Sequence, residues 1–283
     1  MFVPPPNLTV ADLLKGDLQL ASPPNIYFAL KSIIDDPSKS PKDVAFIIED
    51  DAALTARLLK IVNSPFYGFP SQITSITKAI TLVGTRELEN MVLCTKMLER
   101  FSDLPGQMFS IHDFWARNLR CALLAREFDA KLGGKYAETA FLCGLIHNIG
   151  QLLIFLRIPA LAREVELLLE SKSPADAIDE VLIEQQVIGF DHYQAGTELC
   201  RLWKLPEVII ETIRLHALPD LASPYADIAA MVRLAHHFST MDTPYNAVIA
   251  NSLNLTAEQI EVIIDKTNEE FEAIFKLFYP VHR

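Results

Sequence analysis

Proline and glycine divide this chain into pieces of helical length, and no piece shows the strict apolar alternation of a half-buried strand. Apolar residues recur instead at intervals of three and four, which is the period of one helix face. Pro41 fits the start of a helix and Gly84 fits the end of one. We therefore predict an all-α fold built from many helices.

The predicted helices of the first half are short and closely connected, as in a compact bundle of helix pairs. They span about 25–35, 42–49, 52–63, 75–83 and 86–101. In the second half we predict helices at about 111–132, 136–157, 160–171, 174–187, 192–203, 206–217, 226–239 and 257–278.

The composition shifts to that of a turn between Phe101 and Ser110, and we place a subdomain boundary there. The predicted organisation is a proline-rich arm at 1–24, an N-terminal helical subdomain at 25–105, a second helical subdomain at 106–240 and a C-terminal helical extension at 241–283. The extension carries an apolar stripe that either closes the core or meets a second copy of the chain. Its residues are Phe271, Ile274, Phe275 and Phe278.

Hydrophobic residues make up 50% of the 283 residues and the mean hydropathy is +0.21, so the chain can form a large water-excluded interior. The longest nearly uninterrupted apolar stretch, Ala140 to Ile146, is shorter than the roughly 18 residues of a membrane span. The N-terminus lacks a basic region followed by an apolar core, which argues against a signal peptide. We expect a cytoplasmic protein without membrane partners.

The net charge of -11 produces a field that repels polyanions, so we expect no nucleic-acid partner. The four cysteines lie far apart in apolar helical patterns without a CxxC spacing, which predicts reduced core residues. They are Cys94, Cys121, Cys143 and Cys200.

Polar side chains occur on the apolar faces of several helices of the second half. Burying them unpaired would be costly, so they are predicted to share one polar cavity that holds a metal, an anion or ordered water. These residues are Asn118, His147, Asn148, His192, His216 and His236.

The predicted cavity lining is neutral, whereas a phosphohydrolase metal usually needs at least one carboxylate ligand. No general base is evident either, and this disfavours hydrolysis. Asp191 is predicted to cap the helix that starts at His192, where the helix dipole favours a neutral imidazole. We expect no cofactor; the alternative is a divalent transition metal on His147, His192, His216 and His236.

Five segments of the chain resemble the HDOD family in order and spacing, over about residues 20–240. They read LLKIVNSPFYGFPSQITSITKAITLVG, HDFWARNL, FLCGLIHNIGQLLIF, IGFDHYQAGTELCRLWKLPEVIIETIRLHA and MVRLAHHF. HDOD domains are bacterial, all-helical relatives of the HD superfamily of metal-dependent phosphohydrolases, and are regarded as signalling or regulatory output modules. The resemblance implies an HD-like fold, with an N-terminal bundle packed on an HD-type subdomain.

The resemblance also implies a degenerate HD site. Asn118 stands where hydrolytic relatives carry a first histidine, and His147 and Asn148 stand where they carry a His-Asp doublet. His236 is the match to their closing aspartate.

Two further histidines, His192 and His216, match the HDOD pattern, whereas Ala217 replaces the second histidine that usually follows the latter. Ala52 stands where the family commonly has proline.

The NSPFYG element combines a helix end at Ser64-Pro65 with Gly68, which permits a turn of positive φ. We interpret it chiefly as a folding motif. Its aromatic residues, Phe66, Tyr67 and Phe69, are the candidate docking surface.

Three functions are consistent with the sequence. The leading hypothesis is a non-catalytic regulatory module that contacts signalling proteins in trans, with a small ligand in the degenerate site. One alternative is a metal-dependent phosphohydrolase acting on nucleotides or cyclic nucleotides. Another is a non-hydrolytic nucleotide sensor, in which Arg117, near Asn118, contacts the anion.

Overall fold

The computed structural model describes residues 8–15, 24–102, 110–171, 180–216, 222–239, 250 and 253–279, and these residues form helices and connections without a strand. The all-α prediction is confirmed. The helices are α1 Val10–Leu13, α2 Asn25–Ile34, α3 Pro41–Glu49, α4 Ala52–Val62, α5 Ile76–Val83, α6 Thr85–Ser102, α7 Ile111–Lys131, α8 Ala137–Ile146, α9 Ile149–Arg157, α10 Pro159–Glu170, α11 Glu180–Val187, α12 His192–Leu202, α13 Glu207–Leu215, α14 Ala226–Ser239 and α15 Ala257–Phe278.

The predicted helix ends are found where proline and glycine placed them. Pro41 is the first residue of α3, and Ser40 and Asp43 form a capping box there. Gly84 ends α5 with a φ of 94°, a conformation that favours glycine.

In the first half, α2 packs against α3 and α6, and α5 packs against α3, α4 and α6. Asn63 ends α4 and fixes the following loop, because its side chain accepts a hydrogen bond from the Ile73 N–H at 2.7 Å and donates to the Ile73 carbonyl at 2.8 Å. Gly68 has a φ of 61°, as its place in the turn predicts.

In the second half, α7 packs between α8 and α14, while α12 packs against α9 and α13. The prediction of one helix over 136–157 is wrong, because the chain breaks into α8 and α9 at His147 and Asn148. Gly150 in α9 lies directly against α12, where a Cβ atom would be 1.9 Å from the His192 carbonyl oxygen. This close approach places the start of α12 beside the α8–α9 junction.

The segment Ala137–Arg157 is long and apolar enough to cross a membrane by length and composition alone, which the shorter stretch considered in the sequence did not indicate. However, 78% of its 18-residue window is buried inside the protein. It is the core of the second half. The four cysteines are also buried and unpaired, as predicted.

The C-terminal helix α15 packs against α7 and α4, so it belongs to the core and is not a detached extension. Its stripe, Phe271, Ile274, Phe275 and Phe278, is at most 5% exposed. Arg57 of α4 donates hydrogen bonds to the carbonyls of Leu277 and Phe278 at the end of this helix. A homo-oligomer stays a prediction, but this stripe is already used within the chain.

Part of the predicted proline-rich arm forms α1, which packs against α9 and α12. The predicted boundaries at 105/106 and 240/241 lie outside the described residues, as do Ala217 and the first part of the helix predicted at 174–187.

Candidate functional site

Four histidines from separate helices meet in the second half, as the sequence predicts. His147 follows α8, His192 begins α12, His216 follows α13 and His236 lies near the end of α14. The Nε2 atom of His147 is 2.7 Å from Nδ1 of His236, and the rings of His147 and His216 are 5.2 Å apart. The Tyr193 ring lies 4.1 Å from that of His192 and 4.4 Å from that of His216.

Backbone carbonyls fix the tautomers of two of these rings. Nδ1 of His147 donates to the Gly144 carbonyl at 2.7 Å, and Nδ1 of His216 donates to the Ile213 carbonyl at 2.8 Å. The Nε2 atoms of both neutral rings therefore carry lone pairs. His236 donates its Nδ1 proton to His147, whereas Nε2 of His216 is buried without a partner among the described residues.

A carboxylate that the sequence analysis missed holds the fourth ring. Oε2 of Glu184 accepts from the backbone N–H of His192 at 2.8 Å and from its Nδ1 at 2.7 Å. Burial lowers the pKa of His192, but the hydrogen bond and charge of Glu184, with the charges of Glu180 and Asp191, outweigh it and raise the pKa overall. Asp191 caps α12 as predicted, and the neutral state expected of the imidazole stays a prediction, because Glu184 acts on the His192 pKa against the helix dipole.

Glu180 brings a second carboxylate to this position. The nearest ligand atoms of Glu180, Glu184 and His192 all lie within 4.8 Å of one another. Oε1 of Glu180 accepts a hydrogen bond from Gln151 at 3.0 Å, and burial raises the pKa of this glutamate. The prediction of an entirely neutral lining is therefore wrong.

The two asparagines are buried, and each has an amide atom without a partner among the described residues. Asn148 is 8% exposed at the α8–α9 junction with Oδ1 unpaired, and Asn118 is 1% exposed on α7 with Nδ2 unpaired. No hydrogen bond in the described part of the chain joins Asn118 to the histidines. Asn148 lies beside His147 in the chain, so these two predicted positions are adjacent at the site.

Folding lowers the pKa of the other three imidazoles. Burial lowers the pKa of His216 to about 3, with smaller contributions from His236, His192 and Arg233. Burial lowers the pKa of His236 to about 4, helped by His192 and Arg117. The pKa of His147 lies well below 6.5, because of burial and then of His236 and His216.

A cavity of about 960 Å³ opens beside this cluster. Its wall includes Tyr193, His216 and His236 together with basic side chains from α12, α13 and α14. These are Arg201, Arg214, Arg233 and His237.

Arg117 lies elsewhere, on a second cavity of about 510 Å³. The walls of this cavity also contain Asp113, Glu166, Glu180 and Glu184. Its contact with an anion stays a prediction, but its surroundings are acidic.

The NSPFYG aromatics are half-buried and make contacts within the chain. The guanidinium of Arg126 lies 3.8 Å from the Phe66 ring centre, and the rings of Tyr67 and Phe69 stack at 6.1 Å. The Tyr67 hydroxyl donates to the buried carboxyl of Glu87. Docking at these rings stays a prediction, and their observed role is to join α4, α6 and α7.

The donor set fits a transition metal more closely than Mg²⁺ or Ca²⁺. Metal-binding histidines commonly fix one ring nitrogen through a carbonyl or carboxylate, as His147, His192 and His216 do here. Imidazole nitrogen suits Zn²⁺ and its neighbours, whereas Mg²⁺ and Ca²⁺ prefer oxygen.

The described residues thus form an all-helical fold with histidines from separate helices at one buried centre. The family model for the HDOD domain matches residues 20–219, and the chain belongs to this family. An HDOD domain protein of unknown function from Geobacter sulfurreducens has a similar structure, with a TM-score of 0.69, 24% identity and coverage of 92% of both chains.

Two other proteins are similar to this chain, one in structure and one in sequence. A Shewanella amazonensis SB2B protein named "Putative phosphohydrolase" has a TM-score of 0.70, with 23% identity and 95% of both chains covered. An uncharacterized protein of Treponema pallidum (strain Nichols) is 27% identical over 95% of this chain. The chain spans about half the length of that relative, 51%.

Proposed function

We propose that this chain is a non-catalytic regulatory module, which contacts signalling proteins and holds a small ligand at its histidine cluster. The observation that carries the proposal is the 2.7 Å hydrogen bond between His147 and His236. This bond uses the Nε2 lone pair that His147 would offer to a metal, so the two histidines bind each other instead of a metal.

The amides next to this bond support the same proposal. Asn148 offers a neutral oxygen where the hydrolytic relatives carry an aspartate, and Asn118 offers an amide where they carry a histidine. A divalent cation at this place would therefore lack the negative charge and the imidazole that hold it in an active HD site. A cytoplasmic location is part of the proposal.

The test is metal analysis of untagged protein together with an assay against a panel of nucleotides and cyclic nucleotides. We expect substoichiometric metal and no hydrolysis from the wild type. The single variant Asn148→Asp should increase zinc retention, because it restores a negative ligand beside His147. Stoichiometric metal that is lost in His147→Ala, but kept when the exposed His112 is replaced by alanine, would contradict the proposal if metal-dependent turnover accompanied it.

Binding to signalling proteins needs its own measurement. Chemical cross-linking in a lysate of the source bacterium, followed by mass spectrometry, should recover the same partner in repeated experiments. If no protein is cross-linked more strongly to the native chain than to the heat-unfolded chain, the contact-based part of the proposal fails.

A second candidate function is a metal-dependent phosphohydrolase, and the position of Glu180 and Glu184 favours it. In this case His147, His192, His216 and His236 would hold a transition metal, which would supply a Lewis acid and lower the pKa of bound water. Glu184 would orient His192, and Glu180 is the carboxylate within reach of the same place. Glu180→Gln should then abolish turnover.

A further inference from the structure

The cavity of about 960 Å³ has a basic wall in an acidic protein. Arg201, Arg214 and Arg233 come from three helices that follow one another in the chain, α12, α13 and α14. The lining contains two carboxylates, Asp191 and Glu198, whereas the whole chain carries a net charge of -11.

Internal ion pairs account for most of this charge, but not for Arg233. Nη1 of Arg201 lies 2.5 Å from Glu198, and Arg214 bonds Glu211 through two nitrogens at 2.9 and 2.6 Å. Among the described residues no carboxylate pairs with Arg233, which is only partly exposed. A guanidinium at such a place has unused donors for a carboxylate or a phosphate.

The same cavity also offers a buried acceptor. His216 is 1% exposed, lines the cavity, and has an Nε2 lone pair without a partner among the described residues. Arg233 and His216 line the same cavity. A buried polar atom without a partner calls for a ligand or an ordered water.

The two groups make complementary demands on a ligand. A guanidinium donates hydrogen bonds only, so it selects an anionic oxygen, whereas Nε2 of neutral His216 accepts, so it selects a hydroxyl. The volume lies in the range of pockets that enclose small organic molecules and greatly exceeds that of one water.

We propose that this cavity binds a small organic anion that carries a hydroxyl near its charged group, with Arg233 holding the anion and His216 accepting from the hydroxyl. Sugar phosphates and hydroxycarboxylates share this chemistry. The inference rests on the proposed function, because it names the class of ligand that the module would hold.

The test is isothermal titration calorimetry with three probes, ribose 5-phosphate, malate and uncharged ribose. We expect one of the two anions to bind and ribose to bind at least tenfold more weakly. Arg233→Gln should weaken binding of that anion at least tenfold, and Arg233→Lys less. Arg163→Gln on α10 removes a surface arginine away from the cavity and should leave binding unchanged.

The outcomes separate this inference from the proposed function. Binding of neither anion at millimolar concentration, or equal binding by the wild type and Arg233→Gln, overturns the inference and leaves the regulatory proposal intact. If metal-dependent hydrolysis of ribose 5-phosphate follows binding that depends on Arg233, that result supports the inference about the cavity and overturns the non-catalytic proposal. Circular dichroism of each variant shows whether it is folded. If Arg233→Gln is unfolded, binding by Arg233→Lys is compared with binding by the wild type instead.

Discussion

Acidification should destabilise the metal-free protein through its neutral imidazoles. The pKa values of His216 and His236 fall from the ordinary 6.5 to about 3 and about 4, and that of His147 lies well below 6.5. A base whose pKa is lowered by folding does not reduce stability above pH 6.5, because there it is neutral in both the folded and the unfolded chain. As the pH falls below 6.5 the unfolded chain takes up a proton that the folded chain does not, so stability is lost until the folded pKa is reached.

The magnitude follows from linkage. For His236, a change from pH 8 to pH 5 lowers the free energy of unfolding by about 2 kcal/mol. The same window gives about 2 kcal/mol for His216 and therefore about 4 kcal/mol for these two rings together, a large part of the 5–15 kcal/mol typical of a domain. His192, Glu87 and Glu180 act in the opposite direction, because their pKa values are raised in the folded state.

The test therefore compares how much the free energy of unfolding falls with pH in two proteins. Urea unfolding of wild type and His236→Gln, after removal of metal with a chelator, should be compared at pH 8, 7, 6 and 5. Glutamine can still donate to His147 but does not titrate, so the variant should lose about 2 kcal/mol less than the wild type over this range. His112→Gln, which removes a ring that is 56% exposed, is the matched control. Equal pH dependence of wild type and His236→Gln would refute the reasoning.

Three other substitutions test the architecture around the cluster. Gly150→Ala should destabilise the protein by about 3 kcal/mol or more in urea unfolding, because the new Cβ would lie 1.9 Å from the His192 carbonyl oxygen. The control, Gly196→Ala, should destabilise it less, because the nearest atom to its new Cβ is at 3.3 Å. Equal losses of stability in the two variants would contradict this. Burial and the nearby Glu138 raise the pKa of Glu87, so the contribution of Glu87 to stability is lost as the pH rises above 4.5. The stability of Glu87→Gln relative to wild type should therefore increase with pH in urea unfolding. A constant difference in unfolding free energy from pH 5 to 8 would contradict this prediction. Glu184→Gln should lower the pKa of His192 in an NMR titration, and an unchanged value would show that Glu184 does not set it.

The sequence was sufficient for most of the helices and for the meeting of the four histidines, because both depend on local periodicity. Imidazoles on apolar helix faces must point inward, and inward-facing groups of neighbouring helices meet. The role of Glu184 could not be obtained in this way, since it depends on how α11 and α12 pack across the turn at Gly189, which has a φ of 98°. The break between α8 and α9 was missed for a similar reason: the partner that Gly150 approaches lies on another helix.

The His192–Glu184 pair divides the site into two electrostatic environments. His216 and His236 line the cavity with Arg201, Arg214 and Arg233, whereas Glu184 and Glu180 line the other cavity with Asp113 and Glu166. Burial is the main cause of the low pKa values of His216 and His236, whereas the positive charges on their side oppose a divalent cation and the carboxylates attract one on the other side. The field would therefore draw a metal that is bound through His192 toward Glu180 and Glu184, and an anion toward Arg233. If both positions bind their ions, a charge on one side should change the binding free energy on the other through the field between them.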